Sequence, residues 1–244
     1  MRSGILLAAA AVITCGAAAG GWFVDLEAGG AFPGYNDVQV PNDSTGTRFS
    51  LTEALDVPPV PVFRARVGYT TGRHTFSAFA APLRLEGEGT LAADVRFRGS
   101  VFPEGTDVEG LYRFDSYRLT WRYLVHESPC LSFSAGLSAK IRDAEIRLSG
   151  GGITESETNT GFVPLVSFSL AWSPCGVWGL LLDGDALVGP VGRAEDVFLG
   201  GTFRADDRLR LRLGYRIVEG GADVESVYNF TLVNFLMAGA TYSI

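Results

Sequence analysis

Beyond residue 19 the chain lacks any apolar run approaching the roughly 20 residues that a membrane-spanning helix needs, so helical insertion of that part is excluded. Histidine is scarce, with only His74 and His126, and the three cysteines, Cys15, Cys130 and Cys175, stand far apart. No metal-ligand cluster, phosphate-binding loop or Gly-x-Ser-x-Gly elbow occurs, so the sequence calls for no metal and no cofactor. Charge is sparse at 19%, and 27 acids against 20 bases give a formal net charge of −7, which does not attract nucleic acid. Helical 3.6-residue periodicity is missing throughout.

The start, MRSGILLAAAAVITCGAAAGG, has one basic residue, an apolar stretch from Ile5 to Thr14, and Ala17-Ala18-Ala19 as an A-x-A cleavage site. That is the pattern of a secretory signal peptide over residues 1–19. Val12-Ile13-Thr14-Cys15 also resembles a lipobox, with Thr14 where a small residue is usual, and leaves lipoprotein processing as the alternative. Cleavage after Ala19 leaves residues 20–244 as one large all-β domain, near −8 in net charge once Arg2 is gone. It also leaves Cys130 and Cys175, each preceded by Ser-Pro, and an even pair in an exported protein suggests a disulfide.

What the chain has in abundance is alternation. In FDSYRLTWRYLV, residues 114–125, Tyr117, Leu119, Trp121, Tyr123 and Val125 take every second place. Successive side chains of a strand point to opposite faces, so this is a strand with unlike faces. Ten such segments recur, near residues 22–32, 61–70, 74–85, 108–125, 130–148, 161–173, 177–188, 196–204, 209–219 and 227–244. Short connections (71–73, 126–129, 174–176, 205–208) alternate with longer ones (33–60, 86–107, 149–160, 189–195, 220–226). Short turns at one end and longer loops at the other, around an even number of strands, is the arrangement of a membrane barrel.

Aromatic residues gather at one level. Trp22, Tyr69, Trp121, Tyr123, Trp172, Trp178 and Tyr242 all fall beside short turns, and all four tryptophans are among them. Indole and phenol rings favour the headgroup boundary, so the level reads as an aromatic girdle. Tyr117, Leu119 and Trp121 then face lipid, and Arg118 and Arg122 point inward. The fold class expected is all-β, a transmembrane antiparallel up-and-down β-barrel of about ten strands, with eight as the alternative. A soluble periplasmic barrel that buries the aromatics is the architectural rival.

Over residues 20–244 the chain resembles the small outer-membrane β-barrel proteins of Gram-negative bacteria. Its end supports the resemblance, since Leu236, Ala238, Ala240 and Tyr242 keep the alternation of a terminal strand, although Ile244 stands where such proteins usually end in an aromatic. The resemblance implies an outer-membrane location in a Gram-negative envelope. It further implies contact with outer-membrane lipid including lipopolysaccharide, handling by the outer-membrane assembly machinery, and a monomer.

Strand parity assigns Asp25, Glu27, Arg64, Arg66, Arg118, Arg122, Lys140, Arg142, Asp183, Asp185, Arg210, Arg212 and Arg216 to the lumen. Charges in a narrow barrel must be paired or hydrated, so these read as a plug of salt bridges. Bases outnumber acids in the set, which in a hydrated lumen would favour anions. Parity alone does not assign the facing of segments 74–85 and 196–204. Cys130 and Cys175 fall at the short-turn rim of neighbouring strands, where a disulfide requires Cα atoms within roughly 7 Å.

Catalytic signals are weak. An omptin-like protease, also ten-stranded, uses paired aspartates and a His-Asp dipeptide near its outer end, and no His-Asp dipeptide occurs here. Asp183 and Asp185 share a face without a histidine at their level. His126-Glu127-Ser128 matches the H-x-S of lipid A 3-O-deacylases, but occupies a turn before Pro129, where an ordinary polar turn accounts for it. The reading is therefore a barrel with no catalytic residues, a structural or surface-interaction role and a largely closed charged lumen, with segments 36–56 and 87–106 as its outer working surface. A narrow anion-leaning channel is one alternative and a lipid-modifying enzyme another.

Overall fold

The structure, a computed structural model, describes residues 20–174, 176–190 and 192–244. Residues 1–19, and the signal-peptide reading with them, lie outside the described residues. The chain forms β1 (Gly21–Gln39), β2 (Phe49–Ser50), α1 (Leu51–Ala54), β3 (Val60–Thr71), β4 (His74–Ala81), β5 (Arg84–Thr90), β6 (Val95–Phe97) and β7 (Ser100–Phe102). There follow β8 (Asp107–Glu127), β9 (Leu131–Gly150), β10 (Ile153–Trp172), β11 (Trp178–Gly189), β12 (Gly192–Arg204), β13 (Leu209–Val224) and β14 (Val227–Ser243).

Every strand of the wall is antiparallel to the next. The order is β1, β3, β4, β8, β9, β10, β11, β12, β13, β14, with β5 continuing the line of β4 along β8. β14 returns to β1 from Phe23↔Ser243 to Gln39↔Tyr228 and closes a barrel of ten strands. Closure leaves no free sheet edge around most of the wall, which is how a sheet satisfies its backbone without water.

Side-chain parity separates two surfaces. Leu213 and Phe162 (both 68% exposed), Leu119, Trp178 and Leu137 stand on the outside, while Asp25, Glu27, Arg64, Arg118 and Arg216 are buried inside. An apolar exterior around a charged interior inverts a water-soluble core and suits hydrocarbon. Parity also settles the two unassigned segments. Phe79 on β4 and Phe198 on β12 are buried in the lumen, and Phe76, Leu199 and Phe203 lie on the outer side.

The strands run further than the alternation suggests. Residues 149–160, which alternation reads as a long loop, are the ends of β9 and β10 joined across Gly151-Gly152, whose φ values of +59° and +83° suit a two-residue hairpin turn. β1 likewise extends through residue 39, and β13 through 224. Beyond the apolar band both faces of a strand are wet, so the polar and apolar alternation stops while the backbone ladder continues.

The two long outer segments fold over the mouth. Leu51 and Leu55 from the first, and Leu91, Val95, Phe97 and Phe102 from the second, join Val108, Ile146 and Leu148 of the wall in one apolar cluster. The β6–β7 hairpin is tied to the first segment by Arg98 N–H to the Val40 carbonyl (2.9 Å) and Thr47 N–H to the Arg96 carbonyl (2.9 Å). On its other side Ser100 donates to Glu155 (2.7 Å) and Arg98 pairs with Glu157 (2.7 Å), both on β10. In the first segment the Thr45 hydroxyl and amide both bond the Asp43 carboxylate and hold its pKa below the ordinary value. The cap thus spans the mouth from β1 to β10.

Leu213 lies midway along the apolar outer-face run Leu209–Ile217 of β13. Leu213→Arg is expected to destabilise the barrel by about 2–4 kcal/mol, the cost of a cation at the bilayer midplane, read by urea unfolding in lipid vesicles.

Candidate functional site: the lumen charge web

Parity points the charges of six strands into the lumen. On β1 and β3, Asp25 lies opposite Arg66 and Glu27 opposite Arg64. Arg118 comes from β8, Asp183 and Asp185 from β11, Asp196 from β12, and Arg212 and Arg216 from β13.

Asp196 is the hub. It takes ion pairs from Arg64, from Arg118 (2.5 Å) and from Arg216 (2.5 Å), and is 2% exposed. Arg216 also reaches Glu27 at 2.8 Å, and Arg64 lies 3.7 Å from the same carboxylate. Arg212 grips Asp25 with both terminal nitrogens (2.5 and 2.7 Å) and touches Glu27 at 2.9 Å. Arg118 continues to Asp185 (2.7 Å), which accepts from Ser138 at 2.7 Å. The connected web holds four carboxylates, Asp25, Glu27, Asp185 and Asp196, and four guanidinium groups, Arg64, Arg118, Arg212 and Arg216, so its formal charges cancel.

Two rings complete the packing. The guanidinium carbons of Arg64, Arg66 and Arg118 lie 4.9, 5.1 and 5.1 Å from the Phe79 centroid, and Arg216 lies 5.3 Å from that of Phe198. Cation–π contact of this kind partly offsets the donors that lack acceptors, Arg64 Nε and Nη1 and Arg216 Nε. A smaller group lies nearer the short turns, where Asp183 pairs with Arg122 at 2.5 Å and Arg66 at 3.6 Å, and Arg122 also donates to Ser167.

Three inward bases stand apart. Lys140, Arg142 and Arg210 have no ion pair among the described residues, and Arg210 is exposed at the short-turn mouth opposite Arg204. Asp196 is the functional-site residue that alternation missed. Glu195 beside it is also acidic, so the pair carries no polarity contrast to mark which member points inward, although Val197, Leu199 and Phe203 follow at the outward parity.

At the short-turn end, Trp22, Tyr69, Trp121, Tyr123, Trp172, Trp178 and Tyr242 lie on the outer face beside the turns, with Trp22 opposite Tyr69 and Leu209 opposite Tyr242. His74 sits among them and accepts a hydrogen bond from Trp121 Nε1 at 3.1 Å. His126 closes β8 beside a register shift, while the Ser128 hydroxyl bonds the backbone of Leu131 rather than the histidine. Cys130 is exposed at this rim, its carbonyl accepting from Ser173 N–H at 2.7 Å. Cys175 lies outside the described residues, and so does the expected disulfide.

No protein-family model matches the chain, and no curated protein matches it in sequence. Solved structures do. The outer-membrane protease OmpT of Escherichia coli superposes with a TM-score of 0.55 at 9% identity, over 92% of this chain and 97% of that one. Ail, the attachment invasion locus protein of Yersinia pestis, gives a TM-score of 0.36 at 12% identity over 91% and 98%. The Pseudomonas putida toluene transporter TodX gives 0.36 at 11% over 91% and 89%. At these identities the likeness is one of fold: a closed Gram-negative outer-membrane β-barrel in contact with membrane lipid.

Removing the hub carboxylate leaves Arg64, Arg118 and Arg216 as buried cations short of a partner. Asp196→Asn is expected to cost about 3–5 kcal/mol in vesicle-based urea unfolding, as for one half of a buried pair. Glu86→Gln, in the exposed pair with Arg84, is expected to cost less than about 1 kcal/mol in the same assay.

Proposed function

We propose that this outer-membrane barrel is a surface-interaction protein whose axis does not conduct, and whose capped outer end is the working surface. The observation that carries the reading is the neutral web of four arginines and four acids, which crosses the lumen at mid-depth with side chains no more than 9% exposed. An anion path would need hydrated, uncommitted cations along the axis. Arg64, Arg118, Arg212 and Arg216 are instead committed to carboxylates.

The outer end offers what the lumen does not. Segments 36–56 and 87–106 form an ordered cap, and below it the outer face of the wall carries a polar belt. There Arg113 pairs with Asp143 (2.5 Å), Asp115 (3.2 Å) and Glu145 (3.4 Å), and Tyr35 donates to Glu219 at 2.5 Å. Contact of this belt with lipopolysaccharide, a signal peptide over residues 1–19, delivery by the assembly machinery through β14, and a monomeric state belong to the same proposal.

In planar bilayers the wild-type barrel is expected to give no steady conductance steps, and the double variant Arg118→Ala/Arg216→Ala, which opens the web, is expected to give them. Steps of similar size from the wild type would overturn the closed-axis reading and favour the channel.

A further inference from the structure

We propose that the barrel wall is open sideways between β10 and β11, and that the cavity behind the opening binds a single-chain anionic amphiphile, a long-chain fatty acid, with its carboxylate on Lys140 and Arg142. The proposal deepens the closed-axis reading and rests on it, since a lumen blocked at mid-depth makes the outer half a pocket rather than a passage.

The opening is a matter of register. β9 and β10 pair continuously from Ile153↔Gly150 to Trp172↔Leu131, but β10 and β11 pair only from Val166↔Ala186 to Trp172↔Leu180. β11 then runs just to Gly189 before the chain returns as β12, so among the described residues no strand pairs with β10 on that side from residue 165 outward. Continued in register, Pro164 would face Val188, and proline has no N–H for a ladder bond. Phe162 and Val188, 68% and 73% exposed on the outer face, place the slot at the upper edge of the apolar band.

Behind the slot lies a cavity of about 320 Å³, at the small end of ligand pockets. Its apolar walls include Phe114, Val163, Leu187 and Val218, and its charged lining is Lys140, Arg142 and the ion-paired Arg193 and Glu219. Lys140 is the one lysine of the chain and is 4% exposed. Its ammonium lies 4.6 Å from the Phe114 centroid, and among the described residues no carboxylate is within ion-pair distance of it. Arg142 bonds Asn159 through one terminal nitrogen, and its buried Nε has no acceptor.

Charge and shape then name the ligand. The acids beneath are taken up by the neutral web and Glu219 by Arg193, so among the described residues Lys140 and Arg142 are without an ion-pair partner, and a buried unpaired charge is costly unless something pairs it. A carboxylate supplies that partner. An acyl chain supplies the apolar contact and leaves through the slot into the lipid. The cavity is too small for a two-chain phospholipid and fits part of one chain.

The test uses the mature barrel in phosphatidylcholine vesicles, with stearic acid spin-labelled near its carboxyl end as the probe and phosphatidylcholine labelled at the same chain position as the boundary-lipid reference. Electron paramagnetic resonance is expected to show a motionally restricted stearate fraction above the reference, saturable at a single probe per barrel and displaced by stearate but not by methyl stearate. Lys140→Met is expected to weaken binding about tenfold or more, the loss of one charge-assisted contact. Val163→Trp, which narrows the slot from another strand, is expected to abolish the restricted fraction. Equal restricted fractions for stearate and phosphatidylcholine would overturn the proposal, as would unchanged affinity in Lys140→Met that still shifts its gel mobility on heating. Should that variant fail to fold, unchanged binding in Val163→Trp overturns it. Conductance of the same preparation reads the closed axis separately, so a conducting barrel that binds stearate would refute that reading and leave the site standing.

Discussion

Backbone pairing without water is the constraint on which this structure depends. In hydrocarbon each unpaired N–H or carbonyl costs several kcal/mol, so a sheet survives there only by closing on itself. The β14–β1 seam meets this demand along nearly the whole of β1, and the long β8–β9 and β9–β10 ladders meet it on the opposite wall. Against that background the short β10–β11 ladder is an exception rather than ordinary variation. Its break falls at the top of the apolar band, where water and headgroups take over as partners. Pro164 there lacks the donor that a continued ladder would need.

Closure creates a second demand. Ten strands enclose a narrow interior, and parity sends every second residue into it. A lumen filled with apolar side chains would make both faces of each strand alike. Charged filling instead keeps the faces distinct and fixes the register, because a one-residue slip would send Arg118 or Asp196 into lipid. The price is desolvation, met here by neutrality within the web and by the faces of Phe79 and Phe198. Buried ion pairs add little net stability over apolar packing, so the physical argument for such a web is the register it penalises leaving.

Much of this was legible in the sequence because the bilayer imposes a simple code. Tyr117 to Val125 and Leu209 to Ile217 alternate cleanly since one face meets hydrocarbon and the other a polar lumen, and the strand count and facing follow. The code fails where its physical cause ends. Residues 149–160 are strand but read as loop, because above the membrane both faces are wet. Asp196 was hidden by Glu195, and Phe79 by the run of small residues around it, Ala78, Ala80 and Ala81. The cap was legible only in part: Arg48-Phe49-Ser50-Leu51 reads as a short element over the mouth, where β2 and α1 stand, but the apolar cluster that joins Leu51 to Phe97 and Phe102 links segments distant in sequence, which no periodicity reports.

Lys140 shows how the two demands interact. Its place on β9 is dictated by the same parity that buries Arg118, yet it stands above the web, where the acids have already been used. On the proposed reading, cap, web and slot leave the outer half of the lumen with its opening through the wall beside Pro164. A channel would spread its cations along an open axis. In the proposed reading the paired cations close the axis and Lys140 and Arg142, without ion pairs among the described residues, stand behind the side opening, so that the distribution of pairing, rather than the number of charges, would decide from which direction the barrel is accessible.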